Sequence, residues 1–211
     1  MKKLLCTAAA LAALSIPAQA QEMTMKPYVG IDLVRVSPSY TTDTSLGVAL
    51  DGEDFFADNF DGLNIHVGNR FHKNFGMELG YFRTKEESQS FDISALTATP
   101  GDVANTKVRL QGFTLDGMGY LPLDKEEKFE LIGTAGVSWT KADIKFSGIV
   151  LGVPVALSDD SSEFGFRAGG GAQFNFTNNV GVRGLARYQS ADYDDTADRA
   201  WVYSVGLNYS F

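Results

Sequence analysis

The sequence predicts an all-β fold, an eight-stranded antiparallel transmembrane β-barrel that occupies residues 27–211. From residue 27 onward, apolar and polar side chains alternate with a period of two, which is typical of β-strands. The links between the alternating segments are short and long in turn, as in a barrel with turns at one end and loops at the other. No segment has the roughly 20 consecutive apolar residues of a transmembrane helix, so a helical membrane protein is excluded.

The first 20 residues have the pattern of a secretory signal peptide. Two lysines precede an apolar run at 4–16, and small residues at 18–20 form a cleavage site. We therefore expect export, with residues 21–26 as a short lead-in to the barrel. The single cysteine, Cys6, lies within the segment to be removed, so no disulfide is expected in the mature chain.

The chain is acidic, with a formal net charge of −8, and it becomes more acidic once the two lysines of the signal peptide are removed. Phosphate binding requires clustered Lys and Arg, so we expect no nucleic acid as a partner.

Eight segments carry the alternation. The last is the clearest, because its odd-numbered residues from Trp201 to Phe211 are aromatic or aliphatic while most even-numbered ones are small or polar. The others are predicted at 27–36, 60–71, 75–85, about 106–121, about 128–146, 162–176 and 179–190.

The fourth segment is the least regular. Val108 and Leu110 share one parity, whereas Phe113 and Leu115 share the other. This shift predicts either a bulge near Gly112 or an extension of the strand beyond the membrane.

The face opposite the apolar one decides between a soluble and a membrane barrel, because both kinds alternate. That face carries Gly, Ser and Asn rather than the Lys and Glu of a soluble exterior, which indicates a crowded interior. Aromatic residues near the strand ends are typical of interfacial girdles. We therefore expect a lipid-facing side that includes Leu79, Phe166, Val182, Val205 and Leu207.

Two stretches resemble the OmpA-type membrane domain and related small outer-membrane β-barrels: residues 74–81, Asn-Phe-Gly-Met-Glu-Leu-Gly-Tyr, and the terminal Tyr209, Ser210 and Phe211. The resemblance covers residues 27–211, and its motifs identify a superfamily. It implies a location in the outer membrane of a Gram-negative bacterium. It also implies that Tyr209 and Phe211 form a terminal signal for the barrel-insertion machinery.

The inward positions include charged residues, which need partners when they are isolated from water. Glu78, Glu130 and Arg183 lie a few residues from the short-turn ends and are expected to meet in one tier. An eight-stranded barrel is just wide enough for its side chains, so this arrangement favours a structural plug over a gated ion path. The predicted interior network comprises Asp32, His66, Glu78, Asp116, Glu130, Arg167, Arg183 and Arg187.

The long links, at 37–59, 86–105, 147–161 and 191–198, contain 15 of the 26 acidic residues and neither Lys nor Arg. Interleaved apolar side chains add contacts that can be desolvated, while the acidic groups attract a partner over a distance. The alternative is a solvated outer surface. The candidate contact residues are Asp51, Glu53, Asp54, Phe55, Phe56, Asp58, Asp192, Tyr193, Asp194 and Asp195.

These features favour a structural and surface-interaction protein that contacts outer-membrane lipid, lipopolysaccharide and a basic surface or host partner, as a monomer. A narrow transport path for small or hydrophobic solutes and a lipid-modifying enzyme stay open as alternatives. With only His66 and His72 and no nucleophile motif, we expect no enzyme and no catalytic residues. The acidic stretch at 51–61 lacks the ligand pattern of an EF-hand, so we expect no metal site and no cofactor.

Overall fold

The computed structural model describes residues 25–40, 57–92, 99–193 and 197–211. The predicted signal peptide at 1–20 lies outside the described residues. Nine β-strands form within them: β1 (Lys26–Tyr40), β2 (Phe60–His72), β3 (Phe75–Thr84), β4 (Glu87–Asp92), β5 (Val103–Pro122), β6 (Phe129–Val150), β7 (Val153–Asn175), β8 (Val180–Tyr193) and β9 (Ala197–Ser210).

The strands form one antiparallel sheet that closes on itself. Their order is β3-β2-β1-β9-β8-β7-β6-β5-β4, and β3 also pairs with β5. Both β3 and β4 pair with β5, one after the other along its length, so together they fill a single position in the ring. The predicted eight-stranded barrel is thus confirmed, with its third position interrupted at Lys85 and Glu86.

The first and last strands meet at the seam of the ring. Tyr28 pairs with Ser210, and the register continues without a shift to Ser39 and Arg199. The amide of Phe211 donates to the carbonyl oxygen of Pro27 at 3.0 Å. Among the described residues, β4 pairs only with β5, and each of the other strands has at least two hydrogen-bonded neighbours, which a barrel needs in a bilayer.

The short turns lie at one end of the barrel, as predicted, but the predicted loop at 147–161 was wrong. Strands β6 and β7 pair without a break from Phe129 and Phe174 to Val150 and Val153. Leu151 and Gly152 form the turn with φ angles of 54° and 74°. Positive φ at both central residues matches the twist of a hairpin, and glycine adopts it without strain.

The predicted bulge near Gly112 was also wrong. Strand β5 pairs with β6 in one continuous register from Val103 to Pro122. The even-numbered residues of β5 face inward along the whole strand. Val108 and Leu110 are apolar because they join an apolar cluster inside the outer half of the barrel, whereas Phe113 is apolar because it faces outward. The strand extension, which was the alternative explanation, is the one the structure shows.

The predicted facing is confirmed. Phe166 is 67% exposed, Val205 59%, Leu207 53% and Leu79 50%, while Val182 is half-buried. Apolar side chains with this exposure on the outer surface of the sheet form a lipid-facing band. The described residues contain no helix that is long and apolar enough to cross a membrane.

Aromatic side chains border this band at both ends. Toward the long-link end, Tyr81, Phe113, Trp139 and Phe164 are direct cross-strand neighbours on β3, β5, β6 and β7. We call these four residues the outer aromatic row. Toward the short-turn end, the exposed aromatic side chains are Phe75, Phe129, Phe176, Tyr209 and Phe211.

Candidate functional site

The inward faces of the strands hold a buried charged network. All eight residues predicted for it are buried inside the barrel: Asp32, His66, Glu78, Asp116, Glu130, Arg167, Arg183 and Arg187. The structure divides them into three levels along the barrel axis, with an apolar cavity beyond the third.

Arg183 is at the centre of the network. Its Nη1 and Nη2 donate to the two carboxylate oxygens of Glu78 at 2.5 and 3.0 Å. Its Nε and Nη2 donate to the two oxygens of Asp32 at 3.2 and 2.9 Å. We call Asp32, Glu78 and Arg183 the central ion cluster. It closes the middle of the barrel with two carboxylates on one guanidinium.

Polar side chains extend this cluster to its neighbours. His66 Nδ1 lies 3.2 Å from Arg183 Nη2 and 3.3 Å from Asp32 Oδ2. His66 Nε2 lies within hydrogen-bond distance of Asn208 Oδ1, at 2.7 Å. Asn64 Nδ2 donates to Asp32 Oδ2 at 2.9 Å. The carboxylates and the imidazole are thereby held in fixed orientations.

Glycine makes room for the cluster. A Cβ atom on Gly206 would clash with the carboxylate of Asp32, and one on Gly30 would clash with the ring of His66. The small residues that indicated a crowded interior therefore stand directly opposite the charged ones.

The level nearest the short turns pairs Glu130 with Arg70. Arg70 Nη2 donates to Glu130 Oε1 at 2.8 Å, and the guanidinium lies 4.3 Å from the centre of the Tyr120 ring. Glu130 and Arg183 both flank Gln173 in the sheet, but they do not share an ion pair among the described contacts. Arg70 was not among the residues predicted for the network, although it is even-numbered like the inward-facing His66 on the same strand.

The third level contains the other two arginines. Arg167 Nε lies 3.1 Å from Asp116 Oδ1, and Arg187 Nη2 lies 3.8 Å from Glu78 Oε1. Among the described residues, Arg187 Nε and Nη2 are buried without a hydrogen-bond partner. This level is the least completely satisfied part of the network.

Beyond the arginines, toward the long-link end, lies a cavity of about 290 Å³. Its walls include a buried apolar cluster of Val34, Val36, Phe60, Val108, Ala200 and Val202. This outer cavity was not predicted from the sequence. The available signal was that the inward-facing residues of β1 change from acidic Asp32 to apolar Val34 and Val36.

Charged residues surround the barrel beyond the outer aromatic row. Glu86 accepts from Lys145 Nζ at 3.3 Å and from Arg109 Nη2 at 3.2 Å. The hydrogen bond from Lys145 and the nearby positive charges hold the pKa of Glu86 below its ordinary value. Lys141 pairs with Asp143 on the same strand and with Asp160 across the β6–β7 hairpin. The acidic links are thus preceded by a belt of mixed charge.

The structure describes only part of the predicted contact set in the links. Asp58 is exposed, and Asp192 and Tyr193 lie at the end of β8. Outside the described residues lie Asp51, Glu53, Asp54, Phe55, Phe56, Asp194 and Asp195. Within the described parts of the chain, no group of three or more His, Cys, Asp or Glu is arranged to hold a metal ion.

The sequence matches the family described as an outer membrane protein beta-barrel domain over residues 6–211. The chain matches no curated protein.

Several solved structures share the fold. The outer membrane protein OprG from Pseudomonas aeruginosa has a TM-score of 0.56 at 13% identity, with 90% of this chain and 97% of that chain covered. Ail, the attachment invasion locus protein of Yersinia pestis, solved with the heparin analogue sucrose octasulfate, has a TM-score of 0.53 at 18% identity, covering 90% and 100%. Neisserial surface protein A has a TM-score of 0.51 at 12% identity, covering 89% and 97%.

Proposed function

Because the chain belongs to the family of outer membrane protein β-barrel domains, we propose that it acts at the cell surface as a monomeric interaction protein, with the barrel as its anchor. The proposal assigns the contact surface to the strand extensions and links beyond the outer aromatic row. It requires no catalytic chemistry.

The observation that carries the proposal is the length of the β6–β7 hairpin. Trp139 marks the outer aromatic row, and β6 continues as a paired strand to Val150. At about 3.3 Å per residue, this extension measures roughly 35 Å along the strand. A barrel that only anchored itself in lipid would need no such projection.

The chemistry of the projection suits a protein partner. Near its tip, Leu151 is 65% exposed and Leu157 66%, with Val153 and Ile149 beside them. Exposed apolar groups outside the lipid band are typical of interaction sites. Asp159 and Asp160 lie exposed on the same hairpin. We therefore expect a partner with an apolar contact area and basic groups around it.

The negative charge of the acidic links favours a partner with basic groups over a polyanion. Ail has been solved with a heparin analogue, which carries many sulfates. Here the links at 37–59 and 191–198 alone carry nine acidic residues and neither Lys nor Arg, so a polyanion would be repelled unless divalent cations bridged it. Lipopolysaccharide is therefore expected to bind to these links only through such cations.

A transport path is the second candidate, since the outer cavity gives the barrel an apolar entrance. The central ion cluster argues against continuous passage, because Arg183 and Glu78 fill the lumen at 2% and 3% exposure. A solute that entered the cavity would have to displace a paired buried charge to continue, which is energetically costly.

The test measures how tightly the folded protein, in lipid nanodiscs, binds to intact host cells and to lipopolysaccharide with and without Ca²⁺. The parent protein is compared with three variants. The tip variant L151S/L157S removes two exposed leucines of the hairpin. The matched control, L121S/L123S, removes two leucines with similar exposure at the short-turn end. A second variant neutralises Asp51, Glu53, Asp54 and Asp58.

We expect the tip variant to bind host cells at least about tenfold more weakly, since each buried leucine contributes roughly 1.5–3 kcal/mol. The control should bind like the parent. The neutralised variant should lose binding chiefly at low salt, where charges are less screened. If all three variants bind cells equally well, the extensions are a solvated surface and the proposal is wrong.

A further inference from the structure

We propose that the outer part of β7 is a docking edge, at which an extended, basic segment of a partner protein adds a strand to the sheet. This mode of contact deepens the surface-interaction role proposed above and rests on it. Three features carry it: a strand edge without a neighbour among the described residues, the amides that face this edge, and its negative charge.

Strand β7 has a neighbour on each side only near the short-turn end. It pairs with β6 along its whole length, but with β8 only from Arg167 to Asn175. Where β8 separates, the hydroxyl of Ser190 takes the place of a backbone partner. The amide of Phe166 donates to Ser190 Oγ at 3.3 Å, and this hydroxyl donates to the carbonyl oxygen of Phe166 at 3.2 Å. Beyond this point, within the described parts of the chain, residues 153–164 have no strand on the β8 side, and we call this stretch the free edge.

The even-numbered amides of β7 point toward the free edge. In a strand, successive N–H groups point to opposite sides. The amide of Asn175 donates to the carbonyl oxygen of Lys128, just before β6, whereas the amide of Phe166 points to the β8 side. No register shift interrupts the pairing with β6 between these two residues and the turn. The amides available to an incoming strand are therefore those of Ala156, Ser158, Ser162 and Phe164.

The sequence protects the free edge only in part. Pro154 has no N–H group, and the amide of Asp160 donates to Asp159 Oδ1 at 2.9 Å. Lysines, which commonly protect the edges of natural sheets, do not occur in the free edge. The residues that carry the other four amides are all exposed, so a further strand can approach them.

The free edge lies outside the lipid. Phe164 belongs to the outer aromatic row, and β7 runs from there to the turn at Leu151 and Gly152. A strand edge in hydrocarbon would be costly, because its N–H and C=O groups could not be satisfied. Beyond the aromatic row, water satisfies these groups until a soluble segment replaces it.

The charge of the free edge selects the occupant. It carries Asp159, Asp160 and Glu163 and no Lys, Arg or His. Lys141 pairs with Asp160, whereas Asp159 and Glu163 form no ion pair among the described residues. A second copy of the chain would bring the same acidic residues against these, and like charges oppose such pairing. A partner strand with basic residues four positions apart fits, because every second side chain of a strand lies on the same face.

The experiment measures binding of the peptide Lys-Val-Thr-Val-Lys-Val-Thr-Val-Lys to the full protein in nanodiscs. We expect saturable binding, and hydrogen exchange should slow at least about tenfold at the four amides of the free edge, because they gain acceptors. The amides between them already donate to β6 and should exchange as before. Only the addition of a strand predicts this alternating pattern.

Two comparison peptides separate backbone pairing from charge. Proline in place of each valine keeps the charge but removes N–H groups and strand pairing. Glutamate in place of each lysine keeps the strand but reverses the charge. Both peptides should bind at least about tenfold more weakly.

A substitution at Ser158 tests the edge itself. S158P removes an amide that faces the free edge and leaves the hydrogen bonds to β6 in place, as proline does on edge strands. It should weaken peptide binding about tenfold, since a hydrogen bond is lost and the ring obstructs the incoming strand. The matched control, S158T, keeps the amide and should bind like the parent. If S158P does not fold, the proline peptide and the exchange pattern decide the question.

Host-cell binding separates the docking edge from the surface-interaction role. S158P should bind host cells as weakly as the tip variant L151S/L157S. If S158P binds cells like the parent while the tip variant does not, the partner does not use the edge, and only the surface-interaction role stands. If the tip variant also binds like the parent, the proposed function fails, and the peptide experiment alone decides whether the edge accepts a strand.

Three further results would overturn the docking edge. The first is a proline peptide that binds as tightly as the original, which would reduce the contact to charge. The second is peptide binding without slower exchange at the four amides. The third is a dimer of the protein in detergent that S158P dissociates, which would assign the edge to a second copy of the chain.

Discussion

Arg183 and Glu78 form two hydrogen bonds of 2.5 and 3.0 Å at the centre of the barrel, although they lie 105 residues apart in the chain. Strand β3 supplies the carboxylate and β8 the guanidinium. Asp32 from β1 completes the set, so one arginine joins three strands that are not adjacent in the sequence. The middle of the barrel interior is thereby held together by a specific long-range contact between charged groups.

The first prediction concerns the stability of this cluster. Replacing Arg183 by Met leaves Asp32 and Glu78 as buried, uncompensated charges, so we expect a loss of about 3–5 kcal/mol in the free energy of unfolding. R35M removes an arginine from an exposed pair with Asp61 and should cost at most about 1 kcal/mol. Urea unfolding in lipid bilayers measures both. Equal losses would contradict the central role of Arg183.

The second prediction concerns the lipid-facing side. Val205 is 59% exposed within the apolar band, so V205R should reduce the free energy of unfolding by about 2–4 kcal/mol if it lies near the membrane midplane. Its neighbour Gly206 faces inward, where any side chain would meet Asp32. G206A should therefore destabilise the protein by a clash with the ion cluster. The same bilayer unfolding experiment checks both, and an unaffected V205R would contradict the facing.

The third prediction concerns permeability. Because the central ion cluster fills the lumen, the purified protein should show no stable conductance of porin size in a planar bilayer. The control is a porin inserted under the same conditions. Reproducible large steps from monomeric protein would show that the cluster opens.

The fourth prediction concerns the hairpin tip. Buried Asp102 accepts hydrogen bonds from the amides of Leu151 at 2.6 Å and Gly152 at 3.2 Å. In D102A these amides lose their acceptor, so we expect faster hydrogen exchange there with little change in the barrel. Exchange followed by NMR or mass spectrometry measures this. D159A, on the exposed part of the same hairpin, should leave exchange at the turn unchanged.

The fifth prediction concerns pH. Glu86 has a lowered pKa because Lys145 hydrogen-bonds its carboxylate and further positive charges lie nearby. The charged pairs are therefore complete above the ordinary pKa of a glutamate, about 4.3, and are lost as the pH falls through the lowered value. K145Q should raise the pKa of Glu86 toward normal, as measured by NMR titration of its side-chain carboxyl carbon. An unchanged pKa would assign the shift to other groups.

The alternation of apolar and polar residues was sufficient to predict the barrel and which residues face the lipid. In a β-strand, odd- and even-numbered residues point to opposite faces, so the residue number decides whether a side chain points inward or outward. It was also sufficient to place Arg183, Glu78 and Asp32 inside. Parity does not give the partner of a charge, since that depends on strand tilt and register around the whole ring. For this reason Glu130 was predicted next to Arg183, whereas it pairs with Arg70.

The outer half of the barrel was harder to predict. Composition indicated a loop at 147–161, because serine, glycine and aspartate are frequent in turns. Two long strands with matched register overrode that local preference, and the sharp turn needed only Leu151 and Gly152. The apolar interior around Val36 and Val108 was missed because the change from polar to apolar residues on the inward face occurs separately in each strand.

The pairing of β1 with β9 makes closure of the ring depend on the strand that lies farthest from β1 along the sequence. Until β9 reaches the membrane, β1 and β8 both present an edge of unpaired amide and carbonyl groups, which hydrocarbon cannot satisfy. A chain without β9 would keep both edges open and would stay unfit for insertion. The seam therefore ties entry into the lipid phase to the presence of β9.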